Sequence, residues 1–105
     1  MIKSKFYLKN NKYFGFQVKG HAEYADAGED IVCAAVSMLV INTINSIEKY
    51  CDIPFEASNK DYISWRFLES PDVRVNLLMD SMLLGLSTVR KNYGDNYLRL
   101  IIEEV

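Results

Sequence analysis

Residues 30–50, DIVCAAVSMLVINTINSIEKY, are mainly apolar and have the spacing of a helix. Asp30 is suited to cap a helix that begins after it, because its carboxylate can accept an unpaired backbone N–H there. On a helical wheel, six apolar side chains share one face: Val32, Val36, Leu39, Val40, Ile44 and Ile47. Ala34, Met38 and Ile41 make the opposite face apolar too. We therefore expect this helix to be covered twice, by a sheet and by either a second helix or a second copy of the chain.

Alternating hydrophobicity before this helix predicts strands. Residues 2–19 indicate a hairpin whose turn lies at the two asparagines of positions 10–11. In its second strand, the alternation places Phe14, Phe16 and Val18 on the buried face.

The part of the chain after the helix predicts a second hairpin, a second helix and a last strand. The hairpin covers residues 54–67. Ser70 followed by Pro71 is typical of a helix start, a cap and then a first-turn proline, and Gly94 is expected to end that helix. Residues 97–105 alternate again. The predicted order is therefore ββαββαβ.

Length and composition bound the architecture. The chain has 105 residues, and half of them are apolar. We expect a single domain, residues 1–105, of the α+β class, in two layers with two helices packed on one face of a mostly antiparallel sheet. A domain of this size buries only about two-thirds of its unfolded surface. The surplus apolar helix face therefore favours a homodimer.

The charge balance argues against a nucleic-acid partner. Twelve Lys and Arg residues face fourteen Asp and Glu residues, for a net charge of −2. The basic residues near the start, Lys3, Lys5, Lys9 and Lys12, are typical of the solvated side of a strand. We expect no direct contact with nucleic acid.

Cysteine usage and hydropathy indicate the cytoplasm. The chain has two cysteines, no apolar leader after Met1 and no run that approaches about 20 apolar residues, so we expect neither secretion nor a membrane partner. On one helix, Cys33 and Cys51 would lie about 27 Å apart, far beyond the reach of a disulfide.

The candidate chemistry lies around a loop bracketed by Gly20 and Gly28. His21 is the one histidine of the chain, and Cys33 falls at the third position of the predicted helix. Unpaired N–H groups and the positive end of the helix dipole favour a thiolate at Cys33. His21 is the side chain best suited to exchange a proton with it near neutral pH. The pair is either a nucleophile with its base or a buried thiol beside a loop histidine.

Neighbouring polar residues add open alternatives. The negative charges of Glu29 and Asp30 oppose a thiolate at Cys33, although Asp30 could also orient the far nitrogen of His21. Ser37, one turn beyond Cys33, either lines a substrate cleft or bonds the carbonyl of the preceding turn. A structural zinc site needs four Cys or His ligands, whereas the chain has three such residues. We expect neither a metal nor a cofactor.

The run of residues 20–37, GHAEYADAGEDIVCAAVS, resembles the signature of the bacterial ribosomal-processing cysteine protease family. It shares the Gly-His-Ala start, the aromatic residue at Tyr24, the central glycine and the Asp-Ile-Val-Cys-Ala-Ala-Val-Ser block. The rest of the chain is similar in size and pattern.

The resemblance implies a cytoplasmic, dimeric cysteine endopeptidase. Its substrate would be the precursor of a large-subunit ribosomal protein, which loses a short N-terminal extension with a pair of phenylalanines near the cut. The family's nucleophile corresponds to Cys33 and its histidine to His21, while Asp30 and Ser37 are further matching positions. Gly20 and Gly28 would let the loop open and close over the peptide.

Two questions stay open from the sequence. Such a substrate needs an apolar groove, and the candidates to line it are Tyr24, Met38 and aromatic residues of the sheet. The alternative function is a non-catalytic, dimeric peptide-binding module of ribosome assembly that uses the same loop to hold its ligand.

Overall fold

The computed structural model describes residues 1–26 and 28–105. Its elements are β1 (Ile2–Lys9), β2 (Lys12–Lys19), α1 (Ile31–Tyr50), β3 (Phe55–Ser58), β4 (Ile63–Phe67), α2 (Val73–Tyr93) and β5 (Leu98–Glu104). The strands form one sheet in the order β3-β4-β2-β1-β5. Every neighbouring pair is antiparallel except β1 and β5, which are parallel. The predicted α+β class, with the order ββαββαβ and two helices on a mostly antiparallel sheet, is confirmed.

The first hairpin has the predicted turn but a different register. Asn10 and Asn11 both have positive φ, 53° and 63°, which asparagine tolerates better than most residues. Beyond the turn, the pairing of β1 with β2 shifts by one residue in a β-bulge. Tyr13 is therefore buried, while Phe14 is 37% exposed. The prediction that Phe14 shares the buried face of Phe16 was wrong, because one inserted residue reverses the alternation on its far side.

Helix α1 has the predicted cap and the predicted buried face. Asp30 is the N-cap, and its side chain accepts from the backbone N–H of Cys33. The buried residues are Val32, Val36, Val40, Thr43 and Ile47. The sheet and α2 cover this side, whereas Met38 on the other side is 69% exposed and Ile41 46%.

By length and composition alone, α1 would also qualify as a membrane-spanning helix. The expectation that no segment is long and apolar enough was therefore wrong for Ile31–Tyr50. Helices that form the core of a folded domain meet the same criterion. In this fold Val32, Val40 and Ile47 are fully buried, so α1 contributes a central part of the core.

Helix α2 begins two residues later than predicted. Its N-cap is Asp72, whose carboxylate accepts hydrogen bonds from the backbone N–H groups of Arg74 and Val75, the second and third residues of the helix. Ser70, the predicted cap, instead accepts a hydrogen bond from Lys12 Nζ. A carboxylate one residue beyond Pro71 competes for the exposed N–H groups and caps the helix in its place.

The end of α2 and its contact with α1 depend on glycines. Gly94 ends the helix with a φ of 104°, and its N–H donates to the carbonyl of Arg90. Gly85 lies where α2 crosses α1, and a Cβ there would be 2.8 Å from Leu39 Cδ2. The two helices therefore approach closely beside the sheet.

Candidate active site

Asp30 fixes the first turn of α1 and the loop that precedes it. Its Oδ1 accepts from Cys33 N at 3.0 Å, and its Oδ2 accepts from Tyr24 N at 3.0 Å. The Cys33 N–H is the main cause of a lowered pKa of Asp30, with a further contribution from Tyr24. Both carboxylate oxygens are thus engaged by the backbone, so Asp30 acts as a helix cap that also ties the loop to the helix.

The segment that leaves β2 brings the histidine to the same turn. Gly20 has a φ of 91°, and a Cβ there would clash with the carbonyl oxygen of Met1. His21 follows and is exposed. The next residue, Ala22, is buried, and its N–H donates to Cys33 Sγ at 3.3 Å. The backbone on either side of His21 is therefore held, while its imidazole faces solvent.

Two open clefts meet at His21, Cys33 and Ser37, which line both of them. The first, which we call the sheet-side cleft, has a volume of about 220 Å³ and is further lined by Lys19, Asp61 and Tyr62. The second, the loop-side cleft, has a volume of about 640 Å³ and is further lined by Glu23, Gly28 and Asp30. A continuous surface on both sides of a thiol suits an extended chain that crosses it.

The predicted site residues do not all contact each other. Within residues 1–26 and 28–105, the His21 imidazole makes no hydrogen bond with Cys33 or Asp30, and Ser37 Oγ makes none with the carbonyl of the preceding turn. Ser37 therefore lines the clefts, the less common of its two predicted roles. Among the same residues, no group of three His, Cys, Asp or Glu side chains is placed to hold a metal ion.

The cleft also contains residues that the sequence reasoning missed. Lys19 at the end of β2 and Tyr62 just before β4 lie together, with Lys19 Nζ 4.6 Å from the centre of the Tyr62 ring. Their proximity depends on the antiparallel pairing of β2 with β4, for which the sequence carried no signal.

Tyr24 and Met38, the predicted candidates for the groove, line neither the sheet-side nor the loop-side cleft. Tyr24 packs edge-on against Tyr93 and Tyr97, with ring centres 5.5 and 5.0 Å away, respectively. Met38 projects from α1 and is largely exposed. Tyr62 is the aromatic residue that the sheet-side cleft contains.

The thiol itself is available for chemistry. Cys33 and Cys51 are both free and half-buried, and Cys33 opens onto the two clefts while Cys51 lies at the other end of α1. A cysteine in the first turn of a helix, with a histidine on the same cleft wall, is a suitable arrangement for a thiol nucleophile.

The chain is similar to known cysteine proteases. Residues 1–98 match the family described as Cysteine protease Prp. A Bacillus subtilis (strain 168) protein named Ribosomal processing cysteine protease Prp is 33% identical over 91 residues, which cover 77% of this chain and 79% of that protein.

Solved structures share the fold. An essential ribosomal processing protease Prp from Staphylococcus aureus, in complex with a covalently linked product peptide, superposes with a TM-score of 0.90 at 24% identity, over 98% of this chain and 100% of that one. SMU.848 from Streptococcus mutans superposes with a TM-score of 0.79 at 27% identity, over 100% of this chain and 96% of that one. Because the family match spans nearly the whole sequence, this chain belongs to the Prp family of cysteine proteases.

Proposed function

We propose that this chain is a cytoplasmic cysteine endopeptidase that removes a short N-terminal extension from a large-subunit ribosomal protein during ribosome assembly. Cys33 is its nucleophile and His21 its proton-transfer group. The observation that carries the proposal is the position of Cys33 in the first turn of α1, where two open clefts meet and His21 lines both. Residues 1–105 act as one catalytic domain, without a metal or cofactor.

The reaction follows from the chemistry of a thiol beside an imidazole. Cys33 Sγ gives its proton to His21 and attacks the scissile carbonyl carbon. The C–N bond breaks as the imidazolium protonates the departing amine, which leaves a thioester on Cys33. Water then attacks the thioester while His21 takes one of its protons. The C–S bond breaks, His21 returns the proton to the Cys33 sulfur, and the acid product leaves with the thiol restored. The mechanism requires that exposed His21 rotate its side chain to bring the ring to Sγ.

The supporting residues hold this arrangement. Asp30 accepts the hydrogen bond of the Cys33 N–H. The N–H groups that precede it in the helix turn are therefore our proposed donors to the oxyanion. Ser37 Oγ offers a hydrogen bond to peptide that crosses both clefts. Gly20 and Gly28 both have positive φ and bound the loop, and at Gly28 a Cβ would meet no atom within 4 Å. We place the hinge of a closing loop at these two glycines.

The sheet-side cleft is our proposed binding surface for the phenylalanines of the substrate. Tyr62 and Ile63 give it an aromatic and an aliphatic wall next to Cys33. A paired-phenylalanine segment needs such a surface. The relative from S. aureus that holds a covalently linked product peptide supports a peptide as the substrate here.

A homodimer is part of the same proposal. Ile31, Met38 and Ile41 leave one side of α1 apolar and exposed, and Leu77 and Leu84 do the same on α2, at 67% and 70% exposure. Apolar helix surfaces of this kind are typical of subunit contacts. We therefore place the contact between subunits on the helical layer, and not on the sheet.

The decisive experiment uses the purified protein and the host's own precursor of the ribosomal protein. We expect one cut, located by mass spectrometry, that releases the N-terminal extension. Cys33→Ser and His21→Ala should each reduce cleavage at least a thousandfold. Cys51→Ala is the matched control, because it removes the other cysteine from the far end of α1 and should retain cleavage within about twofold.

The alternative is a dimeric peptide-binding module of ribosome assembly without catalysis. It predicts that the precursor binds and stays intact with wild-type protein. An intact precursor after prolonged incubation with a correctly folded protein, together with measurable binding, would overturn the protease assignment and favour the module.

A further inference from the structure

The sheet face that points away from the helices carries a row of cations. Lys3 on β1 pairs with Lys19 on β2 and with Arg99 on β5, so these three residues lie side by side across adjacent strands. Lys5 follows on the same face of β1, opposite uncharged residues on both neighbouring strands. We call these four residues the basic row.

Folding and solubility do not account for the basic row. Like charges directly opposite each other destabilise a sheet, and charges of mixed sign would keep the face solvated equally well. Lysines often protect edge strands from unwanted pairing, but β1 and β2 are interior strands. On the same face, Glu56 is paired with Arg66 at 2.7 Å, and Glu103 lies farther along β5, opposite Tyr7. The net charge of −2 therefore conceals a locally basic surface.

An aromatic concavity adjoins the basic row on the same face. It has a volume of about 570 Å³, and its lining includes Tyr7, Phe14, Gln17, Ser64 and the ion pair of Arg66 with Glu56. The β-bulge is the reason that Phe14 points into it. Lys5 Nζ lies 5.8 Å from the centre of the Tyr7 ring, so the concavity and the basic row form a continuous surface.

We propose that this face binds single-stranded RNA. The basic row would contact successive phosphates, and Tyr7 and Phe14 would stack on unpaired bases, beside amide and hydroxyl groups suited to base edges. Recessed rings fit planar bases better than they fit a bilayer, which needs projecting apolar side chains. The choice of RNA over DNA rests on the proposed function; the binding of a nucleic-acid strand does not.

The proposal replaces the expectation drawn from the net charge. The sequence showed the lysines of the first strand, but it did not show that Lys19 and Arg99 lie beside them. Without that register, Lys3 and Lys5 are isolated cations on a solvated strand.

The test is fluorescence anisotropy of a labelled single-stranded RNA of twelve nucleotides with the wild-type protein. Three to four phosphate contacts give an expected slope of about −2 to −3 for the logarithm of the affinity against the logarithm of the salt concentration. The double variant Lys3→Glu with Arg99→Glu should bind at least tenfold more weakly. Phe14→Ala should bind about tenfold more weakly with an unchanged salt slope, because it removes stacking without changing charge.

Controls separate this surface from general charge effects. Lys49→Glu with Lys91→Glu makes the same charge change on the two helices and should bind RNA within twofold of wild type. Thermal unfolding of every variant checks the fold. Because Lys3 and Arg99 lie outside both clefts, their double variant should cleave a peptide substrate as wild type does, so the outcome is independent of the protease assignment.

Several results would overturn the proposal. One is equal weakening by the two double variants, and another is RNA affinity that does not respond to Phe14→Ala. Polyglutamate that competes as well as unlabelled RNA would indicate an acidic protein partner, and tighter binding to phosphatidylglycerol vesicles would indicate a membrane. A DNA strand of the same sequence that binds as tightly would overturn the choice of RNA.

Discussion

The backbone N–H of Ala22 donates a hydrogen bond to Cys33 Sγ at 3.3 Å, and Ala22 is 2% exposed. A buried N–H without an acceptor is costly, so the sulfur satisfies a structural need as well as facing the clefts. The contact fixes the chain immediately after His21 against the helix that carries the thiol. The proposed catalytic pair is therefore connected through the backbone, and the imidazole keeps its freedom to rotate.

Substitutions of Cys33 should separate these two roles. Cys33→Ala leaves the Ala22 N–H without an acceptor and should lower the free energy of unfolding by about 1 kcal/mol. Cys33→Ser retains an acceptor and should be less destabilising, although both variants lose cleavage. Denaturant unfolding gives the comparison, with Cys51→Ala as the control. Equal stability of the Ser and Ala variants would show that the hydrogen bond to sulfur contributes nothing.

Tyr62→Ala should weaken substrate binding. The substitution removes the aromatic wall of the sheet-side cleft and frees Lys19 from its contact with the ring. We expect KM for the precursor to rise about tenfold with kcat within twofold, the result of losing a contact made equally in the ground and transition states. Tyr50→Ala, an exposed tyrosine at the far end of α1, is the control. Unchanged KM and kcat would place the substrate elsewhere.

Asp30 should make the stability of the protein depend on pH in the acid range. Its pKa is lowered in the folded state, chiefly by the hydrogen bond from Cys33 N, so it stabilises the fold above the unfolded pKa of about 3.9 and loses that effect as the pH falls through the folded value. The difference in Tm between wild type and Asp30→Asn should therefore be constant from pH 6 to 8 and shrink below about pH 4. Glu48→Gln controls for the loss of one negative charge on α1. A difference that does not change with pH would contradict the charged cap.

The elements of the fold were predictable because their signals are local. Alternation in the strands, the apolar stripe of α1 and the stop at Gly94 each lie within one stretch of sequence. The start of α2 was misplaced because Ser70 and Asp72 are both good caps two residues apart. The carboxylate of Asp72 takes the exposed N–H groups of the first turn, and Ser70 accepts from Lys12, a residue distant in sequence, instead.

The site was predictable to a lesser degree. His21 and Cys33 are close in sequence, and one loop joins them to the same helix turn. Lys19 and Tyr62 are brought together by strand pairing, which hydrophobic periodicity does not specify. The orientation of Phe14 depends on a bulge beside Gly15. A glycine within a strand often marks a bulge, so Gly15 carried a signal that the alternation of apolar residues alone does not include.

Tyr13 should make the protein sensitive to alkaline pH. Its hydroxyl donates a hydrogen bond to Asp80, and burial, followed by that hydrogen bond and the carboxylate charge, raises the pKa of Tyr13. A raised folded pKa means that this stabilisation is complete below the unfolded value of about 10 and is lost as the pH rises above it. Tyr13→Phe should lower stability by about 1 kcal/mol at pH 7, since Asp80 is exposed to solvent. Thermal unfolding from pH 7 to 11 should show a steeper alkaline decline for wild type; parallel curves would contradict the prediction.

Gly85→Ala should test whether the two helices are in contact at their closest point. Alanine stabilises a helix interior by about 1 kcal/mol relative to glycine, but here its Cβ would lie 2.8 Å from Leu39 Cδ2 and 3.1 Å from Cδ1. Because overpacking costs about 1–3 kcal/mol, we expect a net loss of about 1 kcal/mol in the free energy of unfolding. In a Leu39→Ala background the clash is absent, so the same substitution should stabilise the protein by about 1 kcal/mol. A double-mutant cycle by urea unfolding measures the coupling of about 2 kcal/mol, and additive effects would mean that the helices lie farther apart than this packing requires.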